Sequence, residues 1–168
     1  MRFTINDLHQ NTSVRSALLR LNNANARETS ILMEDRFERM IEAARVATFV
    51  KPDIAFLLAF DNSDRYDGEH FLWFRARLDN FLYVDRVVVA EGHRRRGLAR
   101  LLYEDLFVRA QLLGRSTIVC EVNHQPPNPS SDAFHAALGF VEIGRATLRD
   151  GMKIVRYLVR GRSAAPFA

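Results

Sequence analysis

The stretch that decides the fold runs from Leu82 to Gly114 and reads LYVDRVVVAEGHRRRGLARLLYEDLFVRAQLLG. Its first part, Leu82 to Ala90, is rich in β-branched residues, which predicts a strand. The apolar end of that strand favours a central position in a sheet, covered on both faces. After an Arg- and Gly-rich turn, apolar residues recur at helical spacing, which predicts an amphipathic helix that ends at Gly114. The predicted apolar stripe comprises Leu98, Leu102, Leu106 and Ala110, with Leu101 and Val108 beside it.

Four arginines crowd the start of this helix, namely Arg94, Arg95, Arg96 and Arg100. The positive end of the helix dipole also lies there, so the arrangement is unfavourable unless a polyanion binds. Backbone N–H groups, the dipole and the guanidinium groups would then all face the ligand. Gly97 and the small Ala99 would let a phosphate approach the backbone closely. The turn therefore predicts an anion-binding site, with a solvated basic turn as the alternative.

Length and composition indicate one soluble domain. The chain has 168 residues, 48% of them hydrophobic and 26% charged, which is ordinary for a globular protein with one core. We expect a single domain over residues 1–160 and a frayed tail over residues 161–168. No apolar run is long enough to span a bilayer and no signal segment opens the chain, so we expect no membrane association and a cytoplasmic location.

Cysteine, histidine and charge narrow the function classes further. The single Cys120 excludes an internal disulfide and lies in an apolar stretch that favours burial. His93 and His124 lack companions at metal-ligand spacing, so we expect no metal. The formal net charge is +4, but the arginines that carry it are spread along the chain. Nucleic-acid binding at the Arg-rich turn is therefore a lower-ranked alternative, and we expect no nucleic-acid partner.

The order of the predicted elements indicates an α/β fold. Two helices are followed by a run of strands and then by strand–helix–strand–helix–strand–strand. The first helix is expected to end at Asn22 and the second to begin after Ser30. This order predicts a mixed sheet with helices on both faces and at least one parallel crossover.

Two motifs resemble those of the GNAT N-acetyltransferase superfamily. Arg94 to Ala99 matches the pattern Gln/Arg-x-x-Gly-x-Gly/Ala of its pyrophosphate loop, between a Val-rich strand and a Leu-rich helix. Asn128 to Phe140 is similar to its second motif, in which an Asn precedes an aromatic hydroxyl on a helix and Gly-Phe follows. Together the motifs cover about the second half of the chain. The whole pattern looks like a branch of predicted acetyltransferases without an assigned acceptor.

The resemblance implies a GNAT fold, with a mostly antiparallel sheet of about six to seven strands and a parallel pair splayed to admit coenzyme A. It implies an acyltransferase that moves an acetyl group from acetyl-CoA directly onto a primary amine, of a small molecule or of a peptide or protein N-terminus. A GNAT-fold domain that binds acyl-CoA with little or no catalysis, as a sensor or partner module, is the second hypothesis. The sheet edge near Met152 to Arg160 permits a homodimer without requiring one.

The same resemblance implies where the cofactor binds. Backbone groups at Val87, Val88 and Val89 would hold the pantetheine arm, and a splay or bulge near Arg86 to Val88 would open the slot. The loop that would hold the pyrophosphate consists of Arg94, Arg95, Arg96, Gly97, Leu98, Ala99 and Arg100. In the second motif, Asn128 and Ser131 would contact the cofactor and Phe134 would pack beside it.

The catalytic candidates are His135, Asp85 and Glu121. At the position of His135 the family usually has Tyr, as the acid that faces the departing sulfur, whereas a histidine with a pKa of about 6.5 is mostly uncharged at neutral pH. His135 would donate as a neutral or charged imidazole, or would only fill the helix face. Asp85 and Glu121, on adjacent predicted strands, are candidate bases, with ion pairing and loop support as their alternative roles.

The acceptor pocket is expected from the first two helices and the segment before the central strand. The candidates are Asn22, Asn23, Glu28, Trp73 and Phe74. A carboxylate among aromatic rings would suit a cationic amine, and Trp73 would add a cation–π contact. The alternative places Trp73 and Phe74 in the hydrophobic core.

Overall fold

A computed structural model describes residues 3–148 and 151–161. Within these residues, seven strands form one sheet: β1 Ile5–Asp7, β2 Val46–Val50, β3 Ala55–Asp61, β4 Phe81–Val89, β5 Thr117–Gln125, β6 Val141–Leu148 and β7 Lys153–Arg160. Five α-helices accompany them: α1 Arg15–Ala24, α2 Glu34–Ala43, α3 Glu69–Arg75, α4 Leu98–Leu112 and α5 Pro129–Ala137. The first two residues, Asp150 of the predicted last turn, and the predicted tail beyond Gly161 lie outside the described residues.

The sheet has the strand order β1-β2-β3-β4-β5-β7-β6, which puts β4 in the middle. In the described part of the chain, β4 and β5 form the one parallel pair and the other neighbours are antiparallel. The predictions of a central Val-rich strand and of a mostly antiparallel sheet with a parallel pair are confirmed.

Helices cover both faces of the sheet, and each face has its own hydrophobic cluster. On one face α1, α2 and α3 pack with the sheet around residues such as Leu18, Phe37 and Phe74. On the other face α4 packs through residues such as Leu102 and Leu106. The sheet therefore separates two hydrophobic clusters, one under α1, α2 and α3 and one under α4.

Helix α4 buries the predicted stripe of Leu98, Leu102, Leu106 and Ala110. It also buries Tyr103, which the spacing did not indicate. Val108 is 59% exposed, so its predicted place beside the stripe was wrong. The reason is geometric, because residues two apart on a helix lie on nearly opposite sides.

The segment between α1 and α2 differs from its prediction. Helix α1 runs through the polar patch to Ala24, and α2 begins at Glu34 instead of after Ser30. Asparagine side chains explain this, since the Asn25 amide donates to Leu21 O at 2.7 Å and the Asn22 amide donates to Ser30 O at 2.8 Å. The first bond extends α1, and the second holds the following loop against it.

We expect Leu106→Ala to lower the free energy of unfolding by about 2–5 kcal/mol, because it leaves a cavity under α4. Val108→Ala is the matched control on the exposed face of the same helix and should change it by about 0.5 kcal/mol or less. Urea unfolding of the two variants and the wild type measures both values. Equal effects would contradict the packing described for α4.

Candidate active site

The candidate site begins where the central parallel strands stop pairing. β4 and β5 are paired from Phe81 and Thr117 only as far as Val84 and Cys120. Beyond this point, among the described residues, each strand pairs only with its outer neighbour, β4 with β3 and β5 with β7. The inner backbone groups of residues 85–89 of β4 therefore line a slot between two diverging strands. The expected splay near Arg86 to Val88 is present and starts just after Val84.

A β-bulge in β4 shapes the apex of this slot. Leu58 lies opposite Arg86 and Ala59 opposite Val84, so Asp85 is the extra residue. A bulge puts two consecutive side chains on one side of a strand, and both Asp85 and Arg86 contact the face covered by α1 and α3. On β5, Glu121 is the first residue past the last pair and lies on the same face, beside α3. The two predicted carboxylates therefore meet at the apex.

Asp85 is fully engaged by protein donors. Tyr66 Oη donates to its Oδ1 at 2.5 Å and Arg86 Nε donates to its Oδ2 at 2.6 Å. Both members of the Asp85–Arg86 ion pair are 8% exposed. Arg86 also donates through Nη1 to Asn22 Oδ1 at 2.8 Å. This network fixes the apex and leaves Asp85 poorly placed to accept a further proton.

Glu121 is less fully engaged, with a hydrogen bond from the buried Tyr83 hydroxyl. Its Oε2 is buried and accepts no hydrogen bond from the described residues. Burial, reinforced by the negative charge of Asp85, raises the pKa of Glu121 to about 8. The Nε2 atom of His70, on α3, lies 4.0 Å from its Oε1. A carboxylate with an unused buried oxygen and a pKa near neutrality has the properties of a general base.

The N-terminus of α4 has the geometry of an anion site. Gly97 precedes the helix with φ +78°, no side chain of the described residues caps the first turn, and Arg95 also has a positive φ of 59°. Arg95, Arg96 and Arg100 are exposed. Arg94 instead donates to Asn25 Oδ1 at 2.5 Å, which links this loop to the end of α1. Leu98 is buried, so it can offer a ligand only its backbone N–H.

The second motif forms α5 and its cap. Asn128 Oδ1 accepts from the Ser131 N–H at 3.2 Å, which caps the helix. Phe134 packs against the Tyr103 ring, with centroids 5.5 Å apart. Phe134 and Tyr103 lie on the α4 side of the sheet.

His135 differs from the charged donor that was one of its predicted roles. It is 5% exposed, and its Nδ1 is 2.8 Å from Ser131 O, which can only accept. The proton therefore sits on Nδ1, and Nε2 accepts from Tyr103 Oη at 2.9 Å. Burial lowers the pKa of His135, so the imidazole is uncharged at neutral pH. In this arrangement His135 ties α5 to α4.

Four of the five acceptor candidates have partners inside the protein. Asn22 is fully buried against Arg86, and Asn23 closes the loop after α1 through the backbone of Leu32. Phe74 is fully buried, in the core position that was its alternative. Trp73 stacks on Tyr157 at 3.9 Å and carries the Arg77 guanidinium 4.2 Å from its ring centre. Those two groups occupy the ring surface that a cationic amine would need. Glu28 is exposed.

Comparison with known proteins identifies the family. Residues 65–140 match the model of the acetyltransferase (GNAT) family. This region of the chain belongs to the GNAT superfamily. The comparison with curated protein sequences gave no match.

Solved structures share the fold over nearly the whole chain. The ribosomal-protein-alanine N-acetyltransferase of Brucella melitensis is 16% identical, with a TM-score of 0.71, over 95% of this chain and 99% of that one. The Salmonella typhimurium protein yncA, solved with its cofactor acetyl-CoA, is 16% identical, with a TM-score of 0.70, over 100% of this chain and 99% of that one. A chain of the NatC complex, solved with a Gag peptide and CoA, is 14% identical, with a TM-score of 0.75, over 97% and 100%.

Membership of the superfamily makes this chain an N-acetyltransferase that uses acetyl-CoA. The structure fits that cofactor, because the inner edge of β4 lacks a strand partner and the first turn of α4 lacks a cap. No group of three or more metal-ligating side chains occurs among the described residues. None of the helices in that part of the chain is long and apolar enough to cross a membrane.

Several side chains at the apex of the GNAT site were not predicted. Tyr66, His70 and Tyr157 surround the two carboxylates, although they lie far from them in sequence. No spacing rule could have found them, since the bulge at Asp85 and the packing of α3 bring them together. Tyr103, the partner of His135, was missed for the same reason.

We expect Arg96→Ala to raise the Kd for acetyl-CoA about tenfold, because one charge-assisted bond to a phosphate is lost. The difference should shrink as salt is added. Arg20→Ala, an exposed arginine on α1, is the matched control and should bind as the wild type does. Titration calorimetry measures each Kd, and an unchanged value for Arg96→Ala would argue against the pyrophosphate loop.

The raised pKa of Glu121 also predicts a pH effect on stability. The folded value of about 8 exceeds the unfolded value of about 4.3, so between these pH values the folded state holds a proton that the unfolded state has lost. The free energy of unfolding therefore falls as pH rises through this window. Glu121→Gln removes the effect.

We expect the Tm of Glu121→Gln, relative to wild type, to be higher at about pH 9 than at about pH 6, by roughly 4 °C or more. Glu104→Gln, on the exposed side of α4, should show no such change. Calorimetric melting at the two pH values provides the test. A difference in Tm that is the same at both pH values would mean that Glu121 is ionised in the folded protein at both of them.

Proposed function

We propose that this GNAT enzyme acetylates the α-amine of a peptide or protein N-terminus, with Glu121 as the general base. The observation that carries the proposal is the Glu121 carboxylate at the apex of the splay, where its buried Oε2 has no donor among the described residues. A buried acceptor oxygen without a partner is costly, and an amine N–H would satisfy it.

The site residues divide the work between the two faces of the sheet. Acetyl-CoA, when bound, supplies the acetyl group as an activated thioester. The first turn of α4 and the exposed arginines beside it would hold the pyrophosphate, and the inner edge of β4 at Val87 to Val89 would hold the pantetheine arm. From the other face, Glu121 would take a proton from the acceptor ammonium and free its lone pair. Asp85, already bonded to Tyr66 and Arg86, holds the apex in shape.

The proton balance supports an α-amine over a lysine side chain. A peptide α-amine has a pKa of about 7.7–8.0 and a lysine of about 10.4. Glu121, with a pKa of about 8, is matched to the first and would be a weak base for the second. The acceptor site therefore favours amines that are already partly deprotonated near neutral pH.

Exposed apolar side chains lie in two segments outside the helices and strands. Ile31 and Met33, in the loop between α1 and α2, are 73% and 72% exposed, and Met152, before β7, is 77% exposed. Gln125, at the end of β5, pairs with Ile154, which places Met152 near the end of β5. Exposed apolar residues of this kind suit contacts with the apolar side chains of a peptide. Among the similar structures, one is a ribosomal-protein-alanine N-acetyltransferase and another was solved with a peptide and CoA.

A second candidate function is an acyl-CoA-binding module with little catalysis. It is favoured by His135, which replaces the tyrosine usual in the family and whose two nitrogens are both engaged within the protein. Acetyl-CoA binding is common to both candidates, so only turnover distinguishes them.

The test is thiol release from acetyl-CoA with matched peptides, one set with free α-amines and one with blocked N-termini that keep a lysine. We expect release with the free α-amines, and we expect Glu121→Gln to lower kcat by about 10²–10⁴-fold, the usual contribution of a general base. In the wild type kcat/KM should rise with pH toward a plateau above about pH 8, as Glu121 loses its proton.

Glu104→Gln, far from the apex, is the control and should retain wild-type turnover. Asp85→Asn should instead lose stability, because Arg86 would be left as an unpaired buried charge. Acetyl-CoA binding without thiol release on any peptide or small amine would select the binding module. Release only with lysine side chains or small amines would overturn the α-amine assignment.

A further inference from the structure

His70 lies between a buried and an exposed carboxylate. Its Nε2 is 4.0 Å from Glu121 Oε1 and 3.7 Å from Glu69 Oε1. The Glu121 side chain is 16% exposed and that of Glu69 is 69% exposed. The imidazole, itself 14% exposed, therefore bridges the apex of the site and the solvent.

Tyr157 holds the other ring nitrogen in place. Its Oη is 3.0 Å from His70 Nδ1, and its own ring is stacked on Trp73. With the proton on Nδ1, donated to Tyr157 Oη, the lone pair of Nε2 faces the two glutamates. Burial lowers the pKa of His70, the charges of Glu69 and Asp85 oppose this, and Lys153 reinforces it. The ring is therefore uncharged near neutral pH, and Nε2 can accept a hydrogen bond from protonated Glu121 and hold its proton transiently.

We propose that His70 is a proton relay that takes the acceptor's proton from Glu121 and passes it to Glu69 and solvent. The inference rests on the proposed function, since it assigns the path of the proton that Glu121 removes. The role is distinct from that of Glu121, because His70 acts after the amine has been deprotonated.

The transfer forms one bond, breaks one bond and releases two protons from the acceptor. The nitrogen–carbon bond forms as the carbon–sulfur bond breaks, and the sulfur leaves with the electron pair. An ammonium acceptor loses two protons in becoming an amide; one ends on the sulfur and the other in solvent. The proton bound for solvent moves from Glu121 to His70 Nε2 and then to Glu69 or water, after which His70 is neutral again.

Through His70, Glu121 has a route to solvent that leads away from its acceptor side. Its Oε2 is buried, and on the acceptor side its neighbours include Asp85, whose oxygens are occupied, and Tyr83, which is fully buried and protonated because burial raises its pKa. His70 is the neighbouring base that also approaches an exposed carboxylate. Distances near 4 Å are long for transfer, and catalytic contacts commonly tighten when the substrate binds.

The test compares two substitutions of His70 in the acetyl-transfer assay. His70→Ala should lower kcat about tenfold or more with an unchanged Kd for acetyl-CoA, and added imidazole should restore kcat in a concentration-dependent way. His70→Gln keeps a polar side chain next to Tyr157 that cannot carry a proton, so it should lose as much and not respond to imidazole. His9→Gln, at Asp7 near the sheet edge, is the control.

The outcomes separate the relay from a structural role. Retention of kcat by His70→Gln within about twofold, or a loss in His70→Ala that imidazole does not reduce, would overturn the proposal. A wild type that releases no thiol with any amine would defeat the proposed function first. NMR then tests the contact between His70 and Glu121 on which the inference rests. The chemical shifts of the His70 ring should change with a midpoint near pH 8 in the wild type but not in Glu121→Gln. Identical titration curves for the two proteins would refute the inference.

Discussion

The whole candidate site depends on the point at which β4 and β5 stop pairing. A parallel pair in the middle of a sheet normally continues, because each unpaired backbone group in the interior costs free energy. Here the ladder ends after Val84 and Cys120 although both strands run on. The unpaired edge persists because an extended ligand can complete it, in the way that a peptide adds to a sheet edge. The extended pantetheine arm is the proposed occupant of this edge.

The bulge at Asp85 makes that opening compatible with a stable core. It turns Asp85 and Arg86 to the same face, where they form a buried ion pair. A buried pair costs desolvation and is tolerated when hydrogen bonds satisfy its remaining atoms. Tyr66 and Asn22 supply those bonds. Because Asn22 lies on α1 and Asn25, three residues later, accepts from Arg94, the polar network also connects the apex with the cofactor loop.

The sequence predicted the parts of this enzyme that depend on local patterns. The Val-rich strand, the stripe of α4 and the loop from Arg94 to Arg100 follow from spacing, and the resemblance supplied the sheet around them. Asp85 and Glu121 were found as a pair because they lie on neighbouring strands. The difference in their hydrogen bonding was not predictable from the sequence, since the bulge and the donors from Tyr66 and Arg86 decide it. The surroundings of the acceptor candidates were not predictable for a related reason, since tertiary contacts bury Asn22 and Phe74 and bond Asn23 to the backbone of Leu32.

The contrast between His135 and His70 shows how the site distributes its proton chemistry. Both imidazoles are largely shielded from solvent. The Nδ1 atom of His135 contacts Ser131 O and its Nε2 contacts Tyr103, whereas Nε2 of His70 faces two carboxylates. A thiolate is a competent leaving group at neutral pH, since thiols have pKa values of about 8.5. An ammonium, by contrast, cannot attack until it loses a proton. In the proposed mechanism the titratable groups lie on the amine side, where the acceptor must lose its proton. On the other side of the sheet, a neutral histidine fastens α5 to α4.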